Sequence, residues 1–152
     1  VLVAAGTYYE NITWPNTGNI KLLSASGPEL TIIDGDASGT VMTFDGGLAL
    51  GTSTMVKGFT VQNGLASSGP GISVSFASFL EGNSPPSLFE NMIIKDNVGS
   101  YGGGMWLNPM GTGNITIRNS VFTNNVGSAI RNTTIIPVYK KKLNNKDLKS
   151  SI

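Results

Sequence analysis

The chain has 152 residues, a formal net charge of +1, 39% hydrophobic and only 12% charged residues, about half the charge of an ordinary soluble domain, roughly 25%. Gly, Ser, Thr and Asn make up 65 of the 152 residues, a turn-rich mix that excludes a helical bundle, and the apolar share excludes disorder over most of the length. Neither Cys nor His occurs, which removes thiolate and imidazole catalysis, disulfides and the usual zinc ligands.

Along the chain, strand-like pieces of three to five residues alternate with Gly, Asn, Asp or Pro punctuation. The first are Val1-Leu2-Val3, Ile20-Lys21-Leu22-Leu23, Leu30-Thr31-Ile32-Ile33 and Val41-Met42-Thr43-Phe44. The chain opens at Val1 on a strand and is read as a mature or trimmed product, or as a fragment of something longer. From residue 55 a longer unit repeats. Met55-Val56-Lys57-Gly58-Phe59-Thr60-Val61-Gln62-Asn63-Gly64 aligns with residues 88–97 and again with 116–125, offsets of 33 and 28 residues. A second short strand follows each copy, at residues 71–76, 104–107 and 127–130. Ile72, Val74 and Phe76 alternate with Ser73 and Ser75, the period of a strand with one dry face.

A unit of this size cannot bury its own interior, but stacked units share one core. The sequence therefore predicts an all-β, right-handed parallel β-helix (a β-solenoid) of five to six coils over residues 1–139. Interior columns are expected at Val56/Phe89/Ile117 and Val61/Ile94/Phe122. Asn63, Asp96 and Asn124, with Asn97 and Asn125 beside Gly64, are expected at a turn, as a ladder of side chains bonded along the stack. Residues 77–87, with Pro85-Pro86, read as a protruding loop. Residues 134–139 could add a last strand.

Charge divides the chain. Residues 1–139 hold five basic groups and eight acids, a net of −3, whereas residues 140–152 hold five Lys and one Asp, a net of +4. The latter is a basic C-terminal tail, read as solvated and disordered, with contact to an anionic partner as the other reading. No run of about 18 apolar residues exists, so no helix spans a membrane. No nucleic-acid partner is expected.

The opening Val1-Leu2-Val3-Ala4-Ala5-Gly6-Thr7-Tyr8-Tyr9-Glu10-Asn11-Ile12, then residues 20–23 and Gly27-Pro28-Glu29-Leu30-Thr31-Ile32-Ile33-Asp34-Gly35, resemble the first coils of pectin-lyase-like parallel β-helices such as pectinesterases. The segments Asp96-Asn97-Val98-Gly99-Ser100-Tyr101-Gly102-Gly103-Gly104 and Thr123-Asn124-Asn125-Val126-Gly127 are similar to repeats of polymorphic membrane proteins and related adhesins. The resemblance covers about residues 1–130 and implies a right-handed β-helix placed outside the cell or on its surface. It implies no single activity, because this fold hosts lyases, esterases, glycosidases and adhesins. The paired Asp and downstream Arg of a pectinesterase have no counterpart after Gln62-Asn63-Gly64. The acid cluster of a calcium-dependent lyase and the usual capping helix are also missing.

Candidate sites are few. Asp34 and Asp36 are the one closely spaced carboxylate pair, a calcium candidate, although Asp-Gly-Asp also suits a strand end that satisfies its own backbone. No other cofactor is expected. Lys57, Glu90 and Arg118 share a column and read as stacked opposite charges. Trp106 is expected to face outward near Tyr101, where it could stack on a sugar ring; the competing reading has residues 77–87, with Phe79 and Leu80, fold over and cover it. Gly102-Gly103-Gly104 reads as a turn, not a phosphate cradle. The leading expectation is a non-catalytic module that binds a polysaccharide or surface glycan, or serves adhesion or structure. A polysaccharide-active enzyme of lyase or esterase type is the alternative, and uncapped coil ends invite self-association.

Overall fold

The computed structural model describes residues 1–45, 53–76, 87–109 and 115–132, which wind into five coils of three strands. The first coil holds β1 (Leu2–Val3), β2 (Gly6–Tyr9) and β3 (Ile12–Thr13), and the second β4 (Lys21–Ser24), β5 (Thr31–Asp34) and β6 (Met42–Asp45). The third holds β7 (Met55–Lys57), β8 (Thr60–Gln62) and β9 (Ile72–Phe76). The fourth holds β10 (Ser87–Glu90), β11 (Ile93–Lys95) and β12 (Met105–Pro109). The fifth is β13 (Ile115–Arg118), β14 (Val121–Thr123) and β15 (Ile130–Asn132).

Equivalent strands of successive coils pair into three five-stranded sheets: A (β1-β4-β7-β10-β13), B (β2-β5-β8-β11-β14) and C (β3-β6-β9-β12-β15). The pairings are parallel throughout. The fold is an all-β parallel β-helix of five coils. No helix occurs among the described residues, and hence none long and apolar enough to cross a membrane. Ser87, expected in the loop, already belongs to β10. Residues 77–86, the last strand proposed at 134–139 and the basic tail lie outside the described residues.

The register follows the repeat alignment. In sheet A, Leu22 pairs with Val56, Val56 with Phe89 and Phe89 with Ile117. In sheet B the column is Ile33, Val61, Ile94 and Phe122. Sheet C contributes Met42, Ile72, Met105 and Ile130, and beside them Phe44, Val74 and Leu107. Most of these side chains are fully enclosed, and burying each aliphatic or aromatic one stabilises the fold by about 1.5–3 kcal/mol. Phe44 ties the sheets together: it stacks on Trp14 at 4.7 Å and meets Phe89 edge-on at 5.5 Å.

Single left-handed residues turn the corners. Gly58, Asn91 and Asn119 (φ 83°, 54° and 49°) stand between sheets A and B, and Asn63, Asp96 and Asn124 (φ 56°, 55° and 54°) stand at the exit from sheet B. Asn and Asp bear this conformation at less cost than other side-chain-bearing residues. The Asn-rich composition is thus partly a demand of the bends. Outside, Lys57, Glu90 and Arg118 lie in one register column, and Lys57 Nζ pairs with Glu90 Oε1 at 3.2 Å.

Candidate functional site

The candidate residues other than the sheet A charges divide between the strand ends and turns leading from sheet B to sheet C, which hold Asp34, Asp36, Asp96, Tyr101 and the asparagines, and sheet C itself, which holds Trp106. The foundation of the turns is an amide stack inside them. Asn97 is fully buried; its Nδ2 donates to Val61 O at 3.2 Å and to Asn125 Oδ1 at 2.9 Å, and its Oδ1 accepts from the Gly64 backbone N–H at 2.8 Å. Asn125 Nδ2 donates in turn to Ile94 O at 2.9 Å. These two asparagines form the amide stack in the interior of the turn. Asn63, Asp96 and Asn124 hold the left-handed bend one position earlier. From there their side chains bond away from the interior: Asn63 Nδ2 donates to Asp34 of the preceding coil at 2.9 Å, and Asp96 pairs with Lys95 at 3.4 Å. The αL backbone aims the next residue inward, so only that next residue reaches interior carbonyls.

Asp34 closes β5 and is 5% exposed. Its Oδ1 accepts from the Asp36 backbone N–H at 3.0 Å, and its Oδ2 accepts from Gln62 Nε2 at 2.7 Å and Asn63 Nδ2 at 2.9 Å. Burial pushes the carboxyl pKa up, but the hydrogen bonds from Gln62, the Asp36 backbone and Asn63, with the Lys95 charge, outweigh it and hold the pKa below the ordinary aspartate value. Both oxygens are therefore engaged in closing the turn. Among the described residues no group of three His, Cys, Asp or Glu side chains converges to hold a metal ion.

Asp36 points elsewhere. It lines an open cleft of about 380 Å³ together with Tyr9, Glu10, Asn11, Gly35 and Ser38. The cleft forms because Tyr9 pairs with Asp34 across β2 and β5, so the turns that follow these strands lie one above the other. Ser38 Oγ donates to Gly35 O at 2.9 Å and approaches Asn11 Oδ1 at 3.4 Å. Tyr9 is 71% exposed. Glu10 and Asp36 form no ion pair among the described residues.

In the fourth and fifth coils Trp106 (β12) and Arg131 (β15) stand on sheet C, and Tyr101 lies in the turn before β12. Trp106 pairs with Ser73 on one side and Arg131 on the other, and its side chain is half-buried. The turn of the preceding coil runs close against it: a Cβ on Gly69 would stand 2.9 Å from Trp106 Cβ. Tyr101 is exposed, and the Arg131 guanidinium lies 4.6 Å from its ring centroid, a cation–π contact. Phe79 and Leu80, the proposed cover, lie outside the described residues. Gly102-Gly103-Gly104 packs beneath the fifth coil, where a Cβ on Gly103 would sit 2.1 Å from Val126 O and one on Gly104 2.5 Å from Ala129 O. Close coil packing explains these glycines without an anion.

Sequence reasoning missed Arg131, Tyr9, Glu10, Asn11 and Ser38. For the cleft, the usable signal was the 25-residue offset between Tyr9 and Asp34, which no similarity of side chains reveals. For Arg131 it was the third repeat, whose strand after Gly127 runs past Ile130 to Asn132 and sets Arg131 opposite Trp106. Comparison with protein-family models, with curated proteins and with solved structures returned no match.

Proposed function

We propose that this chain is a pectin-lyase-like β-helix module, extracellular or on a cell surface, that binds a polysaccharide or surface glycan without transforming it. The observation that supports this most is the cluster of Tyr101, Arg131 and Trp106 on one outer edge. Aromatic rings offer flat apolar faces for the C–H side of a sugar, and the planar guanidinium adds directional donors for its oxygens. Trp106 and Arg131 are paired across sheet C and Tyr101 is bridged to Ser68, so the backbone sets their places before any ligand arrives, which lowers the ordering cost of binding.

The test is a glycan array probed with wild type, Trp106→Ala and Tyr101→Ala, run beside an assay for unsaturated or reducing sugar ends. The module reading expects binding that either substitution weakens about tenfold or more, the usual scale of a stacking anchor, with no sugar ends released. Equal binding by all three proteins would overturn it.

One observation favours a second reading, a polysaccharide-active enzyme: Glu10 and Asp36 line the same cleft, and paired carboxylates are the working groups of glycoside hydrolysis. Sugar ends released by wild type and abolished in Glu10→Gln would establish that reading.

A further inference from the structure

Asn63-Gly64 is the one Asn-Gly step in the chain, and it carries a chemistry that its own turn holds back. Asparagine before glycine is the step most open to spontaneous deamidation, because glycine has no Cβ to hinder its backbone nitrogen. That nitrogen loses its proton to solvent base and attacks the asparagine Cγ, forming a new N–C bond. The Cγ–Nδ2 bond breaks and the side-chain nitrogen leaves as ammonia. Water then opens the cyclic imide to aspartate or isoaspartate, and no electrons change hands.

Asn63 is exposed, yet neighbouring coils hold the peptide group that must swing. The Gly64 N–H, the attacking group, donates to Asn97 Oδ1 of the fourth coil at 2.8 Å. At the other end of the same peptide, Asn63 O accepts from the Ala37 N–H of the second coil at 2.8 Å. Gly64 O accepts from the Val98 N–H at 2.9 Å, and Asn63 Nδ2, the leaving group, stays on Asp34 Oδ2 at 2.9 Å. The Gly64 nitrogen cannot turn toward Cγ without giving up Asn97 and pulling Asn63 O off Ala37.

We infer that Asn63 is a site of spontaneous modification and that the Asn97 side chain is its lock. Deamidation proceeds when the lock opens, and its product opposes reclosure. A carboxylate at residue 63 meets Asp34 where an amide donated before, a like-charge pair. Isoaspartate adds a methylene to the main chain at a left-handed corner, φ 56°. The joint between the second and third coils therefore loosens in one direction only. None of these groups belongs to the Trp106 cluster, so the inference stands apart from the glycan reading.

Wild type and Asn97→Ala are incubated in mildly alkaline buffer beside wild type held unfolded in urea, and deamidation at residue 63 is followed by peptide mass spectrometry. The unfolded chain reacts fastest. Folded Asn97→Ala, checked by circular dichroism, reacts about tenfold faster than folded wild type, the rate equivalent of one hydrogen bond. Urea below the unfolding transition gives a second reading that needs no variant and decides the matter where Asn97→Ala is unfolded. Local opening of the lock keeps the wild-type rate constant, whereas release through global unfolding makes it climb with urea. A climbing rate, a folded Asn97→Ala that reacts like wild type, or an unfolded chain that reacts no faster than the folded one would each overturn the inference.

Discussion

Asn97 Nδ2 donates to Asn125 Oδ1 at 2.9 Å, and the Asn97 backbone N–H donates to the same oxygen at 3.1 Å. One side-chain oxygen thereby joins two coils twice, inside the turn that leads from sheet B to sheet C. Asn97→Ala leaves the Gly64 N–H and the Val61 carbonyl without these partners in a dry interior. A cost of about 2–4 kcal/mol is expected, since each buried group left unpaired costs about 1–3 kcal/mol. Denaturant unfolding measures it. Asn124→Gly, one position before Asn125, keeps the left-handed bend and is expected to stay within about 0.5 kcal/mol of wild type.

The corner between sheets A and B makes a separate prediction. Asn91 and Asn119 sit at φ 54° and 49°, a conformation that β-branched side chains resist by about 1–2 kcal/mol. Asn91→Val is expected to lower the unfolding free energy, measured by denaturant titration, by that amount, and Asn91→Gly to leave it near wild type. Equal effects of the two substitutions would mean that the backbone at this corner is not left-handed.

Acid acts on Asp34. Its pKa is lower in the folded chain than the ordinary value of 3.8, so the folded state holds this proton less tightly than the unfolded chain does. The carboxylate therefore contributes stability above that ordinary value, and the contribution is lost as pH falls through the lower, folded pKa. Wild type should melt at progressively lower temperature as pH drops below about 4. Asp34→Asn should start less stable at neutral pH and lose less on acidification. Parallel pH profiles for the two proteins would remove Asp34 from this role.

Core and surface positions of the same repeat should separate cleanly. Phe89 is 1% exposed and touches Phe44 edge-on, whereas Val121 is 43% exposed. Phe89→Ala is expected to cost about 3–5 kcal/mol, and Val121→Ala no more than about 0.5 kcal/mol. Equilibrium unfolding of both variants provides the comparison.

The coils were legible because the repeat sets apolar residues against apolar residues: Val56, Phe89 and Ile117 align at first sight, and their pairing follows. Which Asn column forms the ladder was not legible. Asn63/Asp96/Asn124 and Gly64/Asn97/Asn125 look alike as letters, and only the left-handed φ of the first column separates the outward side chains from the inward ones. Gly64 shows why the ladder stops. A Cβ there would stand 2.0 Å from Pro70 O, so the third coil has no room for an amide and offers its backbone N–H instead. The cleft escaped notice for another reason: Tyr9 and Asp34 pair but share neither size nor polarity, so periodicity is silent about the first two coils. Arg131 reaches Tyr101 through the path of the turn between residues 98 and 104, which residue types alone do not specify.

The whole account depends on coils stacked in register, and the absence of native cysteine permits a direct test. Lys57 pairs with Glu90 and Glu90 with Arg118 on the outside of sheet A. Neighbours at about 4.8 Å fall within the Cα range of a disulfide, about 4.4–6.8 Å, whereas residues two coils apart, at about 9.6 Å, do not. Mild oxidation should cross-link Lys57→Cys/Glu90→Cys and Glu90→Cys/Arg118→Cys within the monomer and leave Lys57→Cys/Arg118→Cys reduced. Neighbouring pairs that stay reduced, or a skipped pair that closes as readily, would contradict the stacked coil.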